Sequence, residues 1–124
     1  MTKLGLVIVS HSQLLAQGLV DLIKEVAKDV ALTYVGGLPD GEIGTSFEQV
    51  EAAVAANSSS DLLAFYDLGS ARMNLELVMD LSDKDLTIQN VPLVEGAYTA
   101  AALIQAGADK ASILAQLASL TIEK

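Results

Sequence analysis

The chain has 124 residues, enough for one ordinary domain and too few for two. Seven basic residues stand against sixteen acidic ones, and a net charge of −9 repels nucleic acid, whose binding rests on clustered Lys and Arg. The absence of cysteine excludes disulfides, thiolate metal sites and thiol nucleophiles, and no apolar run reaches the ~18 residues that span a membrane.

Met1-Thr2-Lys3 leads into a strand-like run without a signal-peptide layout, so a cytoplasmic protein is expected. Leu4 to Val9 is continuously apolar, which suits a strand buried on both faces, and it ends at Ser10-His11-Ser12. From Gln13 to Lys28, Leu15, Leu19, Leu22, Ile23 and Val26 recur at helical spacing, with Ser12 placed to cap the helix. Ala31 to Val35 reads as a second strand running into Gly36-Gly37. Leu38 to Gly44 is a loop with Pro39 and Gly41, and Thr45 or Ser46 can cap a helix that turns Phe47, Val50, Ala53 and Val54 inward.

After the polar turn Ser58 to Ser60, Leu62 to Tyr66 forms a third strand that ends at Asp67-Leu68-Gly69-Ser70. A helix follows to about Met79, and its Met73, Leu75, Val78, Met79 and Leu81 exceed what one inward face needs, as core or as a subunit contact. Leu86 to Val91 is a fourth, less hydrophobic strand, hence an edge candidate, limited by Pro92. Glu95 to Ala106 is Ala-rich and helical, stops at Gly107, and gives way to a last helix from Asp109 to Leu120. The alternation βαβαβαβαα predicts a three-layer α/β domain over residues 1–124: a parallel sheet of about four strands with helices on both faces. Its core must be filled by Ala, Leu, Val and Ile, because the chain has only two Phe and three Tyr.

In such a sheet, ligands bind beyond the carboxyl ends of the strands. Gly and Ser gather there: Ser10-His11-Ser12, then Gly36-Gly37 with Gly44-Thr45-Ser46, then Asp67-Leu68-Gly69-Ser70, and finally Val94-Glu95-Gly96-Ala97. His11 is the single histidine. A neutral imidazole is a competent nucleophile, base or metal ligand, and the plainer alternative is a ring that only hydrogen-bonds a loop. A metal site would have to draw on carboxylates such as Asp67 or Glu95. A Ser-His-Asp triad is possible in composition, although no G-x-S-x-G elbow is present.

Phosphoryl acceptance fits better, because a phosphate on His11 would meet helix N-termini whose free N–H groups favour an anion. Ser12, Thr45, Ser46 and Ser70 offer hydroxyls, Gly44, Gly69 and Gly96 let amides approach, and Asp67 is placed to hold the other ring nitrogen. Each has a plain counterpart: the hydroxyls as helix caps, Asp67 as a ligand of loop amides, Gly36-Gly37 as turn glycines. Arg72 either steadies a phosphate or pairs with a surface acid.

Val9-Ser10-His11-Ser12 with Ala16-x-Gly18, then Gly36-Gly37, Gly44-Thr45-Ser46, Asp67-Leu68-Gly69-Ser70-Ala71 with Asn74, and Val94-Glu95-Gly96-Ala97 resemble a known family. They look like the phosphotransferase (DhaM) subunits of phosphoenolpyruvate-driven bacterial dihydroxyacetone kinases, which are similar to mannose-type enzyme IIA. The resemblance spans essentially the whole chain. It implies that His11 accepts a phosphoryl group from the carrier HPr, with Asp67 as its partner. The group then passes to ADP bound on the DhaL subunit, and through the ATP so formed to dihydroxyacetone on DhaK. It further implies a homodimer; no cofactor or metal of its own is expected, and the charge and the short apolar runs leave neither nucleic acid nor membrane as an expected partner. Some members carry fused HPr-like and enzyme I-like domains; with neither within residues 1–124, HPr is expected to be a separate protein.

Three other readings compete with this one. A mannose-type sugar relay would use the same residues. A flavodoxin-like module would hold a flavin phosphate over the same strand ends, against which the scarcity of aromatic residues counts. A small hydrolase would use His11 as base with Ser70. The absence of G-x-x-x-x-G-K-[ST] agrees with a nucleotide held by a partner.

Overall fold

The computed structural model describes residues 3–124; Met1 and Thr2, with which the domain reading and the leader reading begin, lie outside the described residues. Strands β1 (Leu4–Ser10), β2 (Ala31–Gly36), β3 (Asp61–Tyr66) and β4 (Asp85–Gln89) alternate with helices α1 (Gln13–Val26), α2 (Phe47–Ala56), α3 (Gly69–Leu81) and α4 (Leu93–Gln105), and α5 (Lys110–Ala118) follows. The sheet is wholly parallel in the order β2-β1-β3-β4, so β4 is an edge strand, as its composition predicts.

All seven residues of β1 are buried, because helices cover both faces of the sheet. The two-residue period of a strand divides them. Leu4, Leu6 and Ile8 join Leu63 and Phe65 in packing against Leu19, Val20 and Ile23 of α1, Ala97, Ala100 and Ala101 of α4, and Ile113 and Leu117 of α5. Val7 and Val9, with Leu62, Ala64 and Tyr66, face Val50, Ala53 and Val54 of α2 and Ala71, Leu75 and Val78 of α3. Small alanines on α4 let that helix lie close to the sheet, which is how a core poor in aromatic residues still fills. No helix is long and apolar enough to cross a membrane among the described residues.

Boundaries move by a residue or two where local chemistry decides them. Helix α1 ends at Val26, with the Ala27 amide bonded back to the Ile23 carbonyl. Helix α4 begins at Leu93 instead of Glu95, because Pro92 supplies a fixed φ and needs no donor at the helix start. Strand β4 stops at Gln89, and Val91 drops into the core beyond it. Of the surplus apolar residues on α3, Leu75 and Val78 are core, whereas Met73, Leu77, Met79 and Leu81 stay exposed.

One contact sets the distance between β2 and the start of α1. A Cβ on Gly36 would stand 2.5 Å from the Ser12 carbonyl oxygen, 2.7 Å from Ala16 Cβ and 2.8 Å from Gln13 Cα. Backbone cannot yield as a flexible side chain can, so Gly36→Ala is expected to cost about 1–3 kcal/mol and lower the urea midpoint. Gly18, on the exposed face of α1, has nothing within 4 Å of its Cβ position. Gly18→Ala is expected to raise stability by about 0.5–1 kcal/mol in the same titration.

Candidate active site

The β1–β3 register sets Val9 beside Tyr66, which brings the residues that follow each strand face to face. His11 thus meets Asp67 across the carboxyl edge of the sheet, 56 positions away in sequence. The His11 amide donates to Asp67 Oδ2 at 2.9 Å, and the His11 carbonyl accepts from the Gly44 amide at 2.9 Å. Its backbone is therefore held from both sides before the ring makes any contact.

Asp67 accepts four hydrogen bonds. Oδ2 takes the His11 amide and the Ser10 hydroxyl (2.8 Å); Oδ1 takes its own neighbour's amide, that of Leu68 (2.7 Å), and lies 2.8 Å from His11 Nδ1. Partial burial pushes the Asp67 carboxyl up, but the bonds from the His11 amide and ring, the Ser10 hydroxyl and the Leu68 amide outweigh it and hold the carboxyl below its ordinary value. An ionised carboxylate only accepts, so His11 Nδ1 carries the proton, and in the neutral ring Nε2 keeps the lone pair. Nε2 faces outward and lies 2.5 Å from Ser70 Oγ, whose hydroxyl donates to it. Both the His11 and Asp67 side chains are 15% exposed, enough for Nε2 to meet a macromolecule and little enough to hold the ring still.

Ser70 sits in the first turn of α3. The N-cap residue of that helix is Leu68, which offers no side-chain cap, so Ser70 is not the cap that its position suggested. Ser12, by contrast, caps α1 by accepting from the Leu15 amide, and Ser46 caps α2 by accepting from Gln49. Helix α4 also starts without a side-chain cap, at Pro92. The two uncapped N-termini, of α3 and α4, border one shallow depression of about 410 Å3 that includes Asp67, Gly69 and Glu95. First-turn amides with no side-chain partner, at the positive end of a helix dipole, suit an anion.

The remaining residues singled out in the sequence divide plainly. Thr45 Oγ1 accepts from Asn74 Nδ2 at 3.3 Å, which ties the loop before α2 to α3. The Gly44 amide is engaged with the His11 carbonyl, so it holds the histidine backbone and is not free for an anion. Gly37 adopts φ 73°, a turn conformation that favours glycine. Arg72 lies 3.7 Å from Glu76 one turn further along α3, on the surface.

Two contributors escape a reading of the sequence. Ser10 is buried and bridges Asp67 to the Ser12 amide; its signal is a polar residue closing an apolar strand. Lys124 lies beside Tyr66 and reaches the depression with no local sequence signal at all.

The structure thus sets a histidine oriented by a carboxylate at the open edge of a parallel sheet. The family model of the PTS system fructose IIA component matches residues 5–114, and the chain belongs to this family. It is 59% identical over 120 residues to the phosphotransferase subunit DhaM of the PTS-dependent dihydroxyacetone kinase of Lactococcus lactis, covering 97% of this chain and 98% of that one. It is 46% identical to the phosphoryl donor subunit DhaM of the PEP-dependent dihydroxyacetone kinase 1 of Listeria innocua, over 96% of both chains. Similarity of this extent sets it among the DhaM subunits. The solved structure of a protein of unknown function, EF1359, superposes with a TM-score of 0.83 at 28% identity, over 98% of this chain and 97% of that one.

The lowered Asp67 carboxyl makes a stability prediction. A folded pKa below the unfolded value, about 3.9 for Asp, contributes stability that is fully present above that value and is lost as pH falls through the folded pKa. Urea titrations from pH 6 to pH 3 are expected to show a steeper acid loss for the wild type than for Asp67→Asn, with the two curves converging at the acid end.

Proposed function

We propose that this chain relays phosphoryl groups through His11 Nε2, from phospho-HPr to ADP bound on the DhaL subunit of dihydroxyacetone kinase, which serves DhaK. The observation that carries the reading is the His11 ring itself: Nδ1 on Asp67 at 2.8 Å and Nε2 outward against Ser70. The names of the Lactococcus and Listeria relatives favour the dihydroxyacetone kinase over a sugar relay.

When the donor's phosphohistidine docks, the Nε2 lone pair attacks phosphorus and the donor's P–N bond breaks, returning that imidazole its electron pair. The proton stays on His11 Nδ1, so the phosphorylated ring becomes cationic, and Asp67 stabilises that charge. Ser70 gives up Nε2 and can turn its hydroxyl to a phosphoryl oxygen, joined by the open amides at the start of α3, Gly69 among them. A cationic ring is also a good leaving group, so the same arrangement serves onward transfer to ADP. Ser12 and Ser46, as helix caps, and Gly44 and Thr45, through His11 and α3, keep the surrounding loops in place.

The setting suits large partners. The depression is open and not enclosed, and Leu15, Leu68 and Val94 stand exposed around it. The net charge of −9 favours partners with a basic contact face. Residues 1–124 act in this reading as one phosphocarrier domain in the cytoplasm, where HPr works. Exposed Met73, Leu77 and Leu81, at four-residue spacing on α3, form a stripe suited to a homodimer.

The same Ser70–His11–Asp67 line has the order of a hydrolytic triad, so ester turnover by the chain alone is a second reading. Incubation with labelled phosphoenolpyruvate, enzyme I and HPr separates the two. The relay predicts one acid-labile, alkali-stable label on the wild type, none on His11→Asn, and no ester turnover. Equal labelling of wild type and His11→Asn would falsify it. Asp67→Asn is expected to slow labelling about 100-fold or more, because the wrong tautomer is then favoured, and Ser70→Ala about tenfold. Dihydroxyacetone phosphate should form only when DhaL, ADP and DhaK are added.

A further inference from the structure

Residues 121–124 return from α5 to the carboxyl edge of the sheet. The Ile122 amide donates to the Asn90 carbonyl at 2.9 Å, and the Asn90 side chain accepts from the Tyr66 hydroxyl. Lys124 Nζ donates to the Tyr66 carbonyl at 2.6 Å and lies 4.0 Å from the centre of the Tyr66 ring. Tyr66 is the residue immediately before Asp67, so the ammonium is fastened one residue from the aspartate that orients His11, and the two residues line one depression. Of the described Lys and Arg side chains, Lys124 is the one that lines the depression shared by Asp67 and Gly69.

Phosphate arriving on the other side of the imidazole creates a charge problem for Asp67. A phosphoryl dianion on Nε2 stands one imidazole's width from the Asp67 carboxylate, and Glu95 borders the depression that Asp67 and Lys124 line. Arg72, the other cation of that neighbourhood in sequence, is drawn to Glu76 instead. We propose that Lys124 is a positioning residue for the relay, its ammonium offsetting the repulsion between Asp67 and the phosphoryl group and so favouring the phosphorylated state. Burial pushes the Lys124 amine down while the Asp67 charge draws it back up, as expected of a cation coupled to that carboxylate. The inference rests on the reading of His11 as phosphoryl acceptor, and it assigns Lys124 no contact with the reacting atoms.

The test equilibrates the full chain with labelled phosphoenolpyruvate, enzyme I and HPr at about 0.01 M and about 0.5 M salt, where screening is weak and strong respectively. Wild type, Lys124→Gln and Lys124→Arg are compared by the ratio of labelled to unlabelled protein. At low salt, Lys124→Gln is expected to lower that ratio about fivefold, with Lys124→Arg close to wild type and the difference shrinking at high salt. A structural role for the segment would instead lower thermal stability without this salt dependence. The inference is overturned when labelled wild type and Lys124→Gln match at low salt. It is also overturned by a Lys124→Gln defect that persists at high salt and is not rescued by Lys124→Arg. An unlabelled wild type overturns the relay reading itself, and Lys124's part with it.

Discussion

The Asp67 carboxylate is the joint on which the site depends. Its two oxygens receive donors from Ser10, from the backbone and ring of His11, and from Leu68, so one side chain binds the end of β1 to the end of β3 and to the approach of α3. Hydrogen bonds to an ionised group are stronger than neutral ones, and these act where exposure is low enough for them to count. The same carboxylate that fixes loop geometry also fixes the tautomer of the imidazole. Loop geometry and ring orientation are therefore coupled at this residue, and a substitution there acts on both.

The joint works because the β1–β3 ladder has a single register. Val9 lies beside Tyr66, and both are completely buried. A one-residue slip would move Val7 and Val9 to the opposite face and would part His11 from Asp67. Burial of the whole of β1 between two helical layers forbids that slip, since every side chain of the strand already has a packed partner. The core thus acts on the chemistry at a distance: aliphatic packing holds the strand ends where a carboxylate and an imidazole can meet.

Capping divides the helices by task. Helices α1, α2 and α5 have their first amides engaged by Ser12, Ser46 and Asp109. Helices α3 and α4, with Leu68 and Pro92 at their N-cap positions, have no such cap, and both border the depression lined by Asp67. A local stability gain of the usual capping kind, about 1 kcal/mol, is absent at those two positions. The same omission leaves donors available to an anion. Ser70 illustrates the consequence, being free to serve the imidazole because it does not cap its own helix.

Much of this was legible from residue order alone. Periodicity and punctuation determined the element order, the parallel sheet, the edge position of β4 and the cap at Ser12, because each depends on neighbours within about one turn or one strand. The concentration of Gly and Ser at strand ends marked the edge at which the fold gathers His11, Asp67 and Ser70. What only tertiary structure decided were pairings between residues far apart in the chain. Ser10 on Asp67, the Gly44 amide on the His11 carbonyl, Ser70 as imidazole partner and Lys124 beside Tyr66 all depend on which strand ends are adjacent. Local sequence carries no record of such adjacency, because it is set by strand order and register, which the packed core determines as a whole.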